Sequence, residues 1–510
     1  MGFAGNIKRN VIVRASVAVA LITLATKVLG YAEKITVAYY WGTGSQADAY
    51  YAVSAILIGV AVLFREVLEP GMLNTLLQVR ESRGARESWR VFVSLFAVVA
   101  LAGGILSLGL GAGAGPSVHL FLSGFEGERL QWAVRFMQFG SIALFLLICC
   151  TVTNTYLLSY KRFTSIALSE FAFKGAILLV LLSVGNRYGI AALIAGLVAG
   201  AAVKFAIQLV RMRPDGFWRD WKPSREYVRA VLWLSWPLLV GNFFSQLGTI
   251  ADNTFASYLS EGVISSLALA KKVIDLPVIL FPYTLSVVVF PFFSQLSVEK
   301  DTLRLDRLFN RTLGYIVLFF LPVMLFIASF PEQIIRLIFE RGAFGSDSTA
   351  MTAELLSVYN AGIVAFALET VLVIFLFAQN RIKTAVVIGI GCVVLDIAIT
   401  GLFIGRFNYL AIAWAFVIAK WVKVILLLCF TRRNLHVARR KVWRNVAGIG
   451  SALVVFMLPL WICSLPVADV QGTVPLAMWL AAVGSVGFGA YAAVLIGFKI
   501  VHLGHGQERE

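Results

Sequence analysis

The chain is 510 residues long, with 59% hydrophobic residues, 14% charged residues and a mean hydropathy of +0.85. That balance is too apolar for a soluble protein of this length and places the chain in a bilayer. The formal net charge of +17 would suit nucleic acid if it formed one patch, but the positive residues are scattered over many short breaks between apolar runs, as expected of loops facing an anionic leaflet.

Apolar stretches of about 20 residues or more, the length that spans a hydrocarbon core of roughly 30 Å, follow one another along the chain. The expected spans are 11–41, 48–79, 89–112, 130–160, 163–184, 188–211, 227–258, 264–297, 309–330, 350–379, 383–405, 408–430, 443–464 and 472–502. The expectation is therefore an all-α polytopic membrane protein with fourteen transmembrane helices. Cytoplasmic loops collect Lys and Arg. With the amino terminus inside, Lys8, Arg9, Arg80, Arg83, Arg86, Arg90, Lys161, Arg162, Lys300, Arg304, Arg307, Arg439, Arg440 and Lys441 fall on the cytoplasmic side, whereas the opposite side keeps only Arg129, Arg187, Arg336, Arg341 and Arg406. Both termini are expected in the cytoplasm. The first apolar run carries Arg14 and Lys27 and lacks a small-residue cleavage site, so it is expected to stay as the first helix rather than leave as a signal peptide.

Short matches recur at a separation of about 215 to 219 residues, as in internally duplicated transporters. Val13-Arg14-Ala15 opens the first span and Val228-Arg229-Ala230 the seventh; Tyr160-Lys161-Arg162 leaves the fourth and Gln379-Asn380-Arg381 the tenth. The expected domains are a six-helix lobe over 1–212, a cytoplasmic linker over 213–225, a second six-helix lobe over 226–433, and a segment over 434–510 holding spans thirteen and fourteen. The linker, with Trp218, Trp221 and several basic residues, suits the membrane interface.

Several ionisable residues lie inside or at the ends of these spans. Each costs roughly 2.5 to 3.5 kcal/mol near mid-bilayer on insertion scales, so a recurring set implies a wet cavity. The first span carries Arg14, Lys27, Glu33 and Lys34; the second carries Asp48, Arg65, Glu66 and Glu69; the eighth carries Lys271, Lys272 and Asp275, followed by Pro277 and Pro282. Spans one, two, seven and eight are expected to line a cleft between lobes, with the prolines bending the eighth helix. Lys272 and Asp275 share a helix face, so an internal salt bridge is the alternative reading for that pair; Glu33 and Lys34 could equally snorkel to the interface. Lys and Arg in a low-dielectric cleft suit a phosphate or diphosphate, favouring an anionic lipid head group over a cationic drug. Asp252 on the seventh span and Asp396 on the eleventh are the embedded acids best placed for a coupling cation; structural hydrogen bonding is the alternative. Glu170, Lys174 and Glu369 take no assigned role.

The five cysteines (Cys149, Cys150, Cys392, Cys429, Cys463) fall within spans without metal-like spacing and read as small packing residues. No nucleotide-binding Gly-rich loop, zinc-protease or hydrolase motif is present, so neither an enzyme nor a bound cofactor is expected.

The run from Phe255 to Leu267 (Phe-Ala-Ser-Tyr-Leu-Ser-Glu-Gly-Val-Ile-Ser-Ser-Leu), followed by Ala270-Lys271-Lys272-Val273-Ile274-Asp275-Leu276-Pro277, resembles the seventh-to-eighth helix signature of the MurJ/MviN lipid II flippases. Lys27-Val28-Leu29-Gly30, Gly42-Thr43-Gly44, Asp48-Ala49-Tyr50-Tyr51 and Leu337-Ile338-Phe339-Glu340-Arg341-Gly342-Ala343-Phe344 add to the likeness, which extends over most of the first twelve helices. The resemblance implies the multidrug/oligosaccharidyl-lipid/polysaccharide exporter fold with alternating access and a lipid-tail groove on the last two helices. It also implies a cavity lined at Lys27, Asp48, Arg65, Lys272 and Asp275, a polyprenyl-diphosphate-linked glycan as partner, and the bacterial cytoplasmic membrane as location. Some members use an ion gradient, which makes a monovalent cation or the membrane potential a candidate driver; a monomer is expected. The chain has Lys at 27 and 272 where the family usually has Arg, Glu33-Lys34 where it usually has Arg-Asp, and Lys271 in place of a common Asp. Lys lacks the bidentate grip of Arg, which keeps two alternatives open: a flippase for an exopolysaccharide or O-antigen intermediate, and a cation-coupled multidrug exporter.

Overall fold

A computed structural model describes residues 2–212, 221–432, 439–464 and 472–497. Among these the chain is helical and contains no strand. In order the helices are α1 (Gly2–Trp41), α2 (Ser45–Arg83), α3 (Ala85–Ala112), α4 (Ala114–Phe121), α5 (Gly127–Ser159), α6 (Phe163–Tyr188), α7 (Ala191–Met212), α8 (Arg225–Ser257), α9 (Val263–Val278), α10 (Thr284–Val298), α11 (Thr302–Ser329), α12 (Pro331–Phe339), α13 (Ser346–Asn360), α14 (Ile363–Ala378), α15 (Ile382–Phe407), α16 (Tyr409–Arg432), α17 (Arg439–Ser464) and α18 (Thr473–Gly497). A π-helical turn, Ile279–Tyr283, joins α9 to α10. It follows Pro277 and contains Pro282; each lacks the N–H that an α-turn needs, so the hydrogen-bond ladder slips where the sequence predicts a bend.

Nine helices among the described residues are long and apolar enough to cross a membrane, or eleven when each of two bent pairs counts as one span. Their outer faces carry large apolar side chains, such as Leu101, Ile105 and Leu108 on α3 and Val387 and Leu402 on α15, which only lipid can cover. With no water at that depth, every backbone group must bond within its own segment, and the helix is the only open-chain solution.

The chain forms two compact units, Met1–Ser265 with Arg341–Gly345, and Ser266–Glu340 with Ser346–Glu510. In the first unit α2 packs along α5, and α6 lies against α7. Gly200 on α7 meets α6 so closely that an added Cβ would sit 2.9 Å from the Phe173 carbonyl, an approach only a residue without a side chain permits. Gln208 ties three helices together: its amide donates to Ser169 Oγ at 3.1 Å, and its carbonyl accepts from Thr153 Oγ1 at 2.5 Å. In the second unit α17 packs on α18 through Ala452, Phe456 and Leu460 against Leu480, Val483 and Tyr491. The Tyr491 hydroxyl donates to the Leu318 carbonyl on α11 at 2.9 Å.

The expected linker lies largely outside the described residues, as does the carboxyl-terminal end beyond Gly497. Cys149, Cys150 and Cys392 are buried and unpaired; Cys429 is exposed, and the Cys463 side chain lies outside the described residues.

Candidate functional site

Asp48 sits in the first turn of α2 and is wholly inaccessible. Its Oδ2 accepts from the Gly262 N–H at 2.8 Å, and its Oδ1 accepts from the Ser265 N–H at 2.9 Å and the Ser265 hydroxyl at 2.6 Å. Ser265 is the third residue of α9, so its N–H is one of those a helix cannot satisfy internally. Asp48 thus caps α9 from another element and brings negative charge to the positive end of its dipole. Arg129 completes the arrangement, 3.6 Å from Asp48 Oδ2 and donating to the Leu259 carbonyl at 3.1 Å. Beside it, the backbone N–H and hydroxyl of Ser45 both donate to Glu261. The turn Arg341–Gly345 joins the same end: the Ala343 N–H donates to the Tyr39 carbonyl at 2.8 Å, and Gly342 has φ +61°.

Deeper in the first unit, Glu33 is 1% exposed and takes three partners: the Tyr50 hydroxyl at 2.7 Å, Lys174 Nζ at 2.7 Å and Lys34 Nζ at 3.2 Å. Lys34 also lies 4.8 Å from the ring centroids of both Tyr50 and Tyr51, a cation–π arrangement. Glu33 therefore stays inside the protein instead of reaching the interface, because two ammonium groups and a phenol replace its lost hydration. On the neighbouring helices Glu170 pairs with Lys204 at 2.5 Å.

The second unit repeats the theme. Glu369 on α14 lies between Lys420 and Lys423 of α16, each at 2.6 Å. Lys420 also sits over the rings of Phe366 and Phe416, and Lys271 lies 4.3 Å from the Phe416 ring centroid. Asp396 on α15 is buried within electrostatic reach of Lys271 and Lys420, and its Oδ1 has no hydrogen-bond partner. Three lysines against two carboxylates leave this cluster cationic.

Of the residues singled out from sequence, Lys27 and Arg65 are exposed on α1 and α2, while Lys34, Lys271, Lys272, Asp275 and Asp252 are half-buried. The Arg14 side chain lies outside the described residues. Within the first unit the fold sets Lys34 and Lys174 on the same carboxylate, Glu33; within the second it brings Lys271 within electrostatic reach of Asp396. Sequence reading left out Lys204, Lys420 and Lys423 and gave Glu170, Lys174 and Glu369 no role. A signal existed: Lys420 and Lys423 stand three apart and Glu170 and Lys174 four apart on spanning helices, so each pair shares a face.

Long apolar helices that hold charged pairs in their interior define a polytopic membrane protein. A solved structure described as lipid II flippase MurJ in an inward closed conformation superposes with a TM-score of 0.79, covering 95% of this chain and 99% of that one at 19% identity. The inward-facing form of a multidrug resistance MATE transporter of the MOP superfamily gives 0.68, covering 82% of this chain and 97% of the other at 14% identity. Among curated relatives, the probable lipid II flippase MurJ of Borreliella burgdorferi is 25% identical over 427 residues, 82% of each chain. The lipid II flippase MurJ of Burkholderia cenocepacia is 23% identical over 465 residues, 88% of this chain and 89% of its own. The profile of the lipid II flippase MurJ family matches residues 37–479. The chain belongs to that family and is a multi-pass protein of the bacterial inner membrane.

Proposed function

We propose that the protein carries a polyprenyl-diphosphate-linked glycan, lipid II or a related peptidoglycan precursor, from the inner to the outer leaflet by alternating access. It does so without acting as an enzyme. The observation that carries this reading is the set of cations kept inside spanning helices of a chain that matches the family over 37–479. Embedded charge is expensive, and a transporter of an acidic lipid head uses it. The charge asymmetry of the loops supports fourteen spans with both termini cytoplasmic. In this reading two six-helix lobes, 1–212 and 226–433, move about the linker 213–225. Lys27, Arg65, Lys271, Lys272 and Asp275, with Arg14 and Lys34, meet the head group as it passes, while α17 and α18 within 434–510 hold the tail. Asp48 acts at one remove, by fixing the start of α9. Cargo drives the exchange only by its differential affinity for the two states. Asp252 and Asp396 remain the acids proposed for coupling.

Reconstituted vesicles loaded with a labelled lipid-linked glycan test the reading. Lys27→Ala and Lys272→Ala are each expected to abolish flipping while the protein stays in the membrane; flipping at the wild-type rate by both variants refutes it. A second cargo, an exopolysaccharide or O-antigen intermediate, is favoured by one observation: lysines at 27 and 272, which offer point charges rather than bidentate forks. Vesicles carrying each defined glycan separate the two.

A further inference from the structure

The first half of α8 has two faces of opposite character. Tyr227, Val231 and Ser235, four residues apart, are buried. The Tyr227 hydroxyl accepts from Arg83 of α2 at 3.3 Å and donates to Glu87 of α3 at 3.0 Å, and the Ser224 N–H donates to Ser94 Oγ of α3 at 2.7 Å. One turn deeper, a Cβ added to Gly71 of α2 would lie 2.5 Å from Ser235 Oγ, so the two helices touch there. At about 100° per residue, this anchoring turns Arg225, Arg229, Leu232, Trp233 and Trp236 to the opposite side. There, with Val228 and with Val98 of α3, they line an open cavity of about 420 Å³. Trp233 is 76% exposed and Trp236 58%.

Charge and size narrow the occupant. Arg225 and Arg229 are exposed, one turn apart at the start of α8, and among the described residues neither makes an ion pair. No acid lines the cavity, and its other five residues are apolar. From Arg225 to Trp236 it runs eleven residues along the helix, about 16 Å, which is half of a hydrocarbon core of roughly 30 Å and therefore the depth of one leaflet. Spread over that length, its volume gives a mean cross-section of about 26 Å², against about 80 Å² for a helix 10 Å across. A partner helix is too wide and would cross both leaflets. A hydrocarbon chain fits both limits, and two guanidinium groups at the surface end suit a phosphate.

We propose that the groove of α3 and α8 lined by Arg225, Arg229, Trp233 and Trp236 binds one anionic phospholipid from the leaflet at which α8 begins. Arg225 and Arg229 hold its phosphate. Leu232, Trp233, Trp236 and Val98 cover one acyl chain, with the indole rings in the interfacial belt that tryptophan favours. A zwitterionic lipid fills the same groove but brings an ammonium group to two unanswered cations, and it binds more weakly. The site does not rest on the flippase reading, since its ligand is a resident of the bilayer rather than cargo.

The test uses the full-length protein in dodecyl maltoside micelles, titrated with phosphatidylglycerol or with phosphatidylcholine of the same chains, and counts bound lipid by native mass spectrometry. A saturable adduct is expected with phosphatidylglycerol, about tenfold or more tighter than with phosphatidylcholine. Arg225→Gln and Arg229→Gln should each weaken it by about fivefold, the scale of one basic residue at a membrane surface. Arg307→Gln and Lys383→Gln, exposed basic residues of other loops, should leave it unchanged. Val98→Trp fills the cavity from α3 and should remove the adduct with both arginines in place; Val98 is 41% exposed, so the larger side chain is accommodated without disturbing the core. Absence of a saturable adduct, equal affinity for the two lipids, or wild-type binding by the arginine variants and Val98→Trp overturns the site. Displacement of phosphatidylglycerol by a lipid-linked glycan overturns it too, by making the groove a cargo contact. So does a dimer in the same spectra that Val98→Trp dissociates, which would seat a second copy there.

Discussion

Replacing Asp48 with Ala removes an acceptor from three donors at once, the Gly262 N–H, the Ser265 N–H and the Ser265 hydroxyl, and takes the carboxylate away from Arg129. Hydrogen bonds to a charged group contribute about 1.5 to 3 kcal/mol each, and loss of a helix cap costs about 1 kcal/mol. Those values do not add, since the donors share one carboxylate and the loop before α9 can relax. Breaking a buried charged pair by removing one partner costs about 3 to 5 kcal/mol, and the lower end is expected here. Asp48→Asn keeps an oxygen for Ser265 but sets an amide against the Gly262 N–H, so it should lose about half as much. Large membrane proteins unfold irreversibly, and the fitting measurement is a half-life at fixed temperature in detergent. A barrier lowered by about 3 kcal/mol shortens that half-life by about 100-fold, at 1.36 kcal/mol per decade. An Ala variant whose half-life stays within about threefold of wild type refutes the capping role. A stable Ala variant that has lost head-group binding would instead make Asp48 a cargo contact.

Glu369→Gln leaves Lys420 and Lys423 buried side by side and should destabilise the second unit by about 3 kcal/mol or more; adding Lys420→Met and Lys423→Met should recover most of it, read as detergent half-life or membrane yield. Gly342→Ala forces a side chain to φ +61° and puts its Cβ 2.4 Å from the Tyr39 carbonyl, so a loss above about 1 to 3 kcal/mol is expected, whereas Gly345→Ala, with open space around it, should change little. The carboxylate of Asp396 already has Lys271 and Lys420 for neighbours. A coupling cation at Asp396 is then a proton and not a metal ion: replacing sodium by potassium should alter flipping by less than about twofold, and a strict sodium requirement would show that a metal ion completes that cluster.

Much of this was legible in the residues themselves. Apolar stretches of spanning length settle the class of the molecule, because a bilayer accepts little else. Pro277 and Pro282 mark the break between α9 and α10 for the same reason, as missing N–H groups cannot be supplied from elsewhere. The motifs at Gly42–Gly44, Asp48, Glu261 and Gly342 carry the family likeness, but their reason emerges only when the chain is folded: they meet at one end of the first unit, where Asp48 caps α9 and the Arg341–Gly345 turn lies on Tyr39.

Embedded charge is where sequence and fold part company. The order of residues reveals that Glu33, Asp48, Lys174, Glu369, Lys420 and Lys423 stand within apolar runs, and the cost of that placement requires partners for them. It does not say which partners. Glu33 finds Lys174 from 141 positions away and Glu369 finds Lys420 and Lys423 from 51 and 54 positions away. Helical periodicity fixes which residues share a face of one helix. Which faces meet is decided by packing between helices far apart in the chain, and a spacing rule carries no information about that.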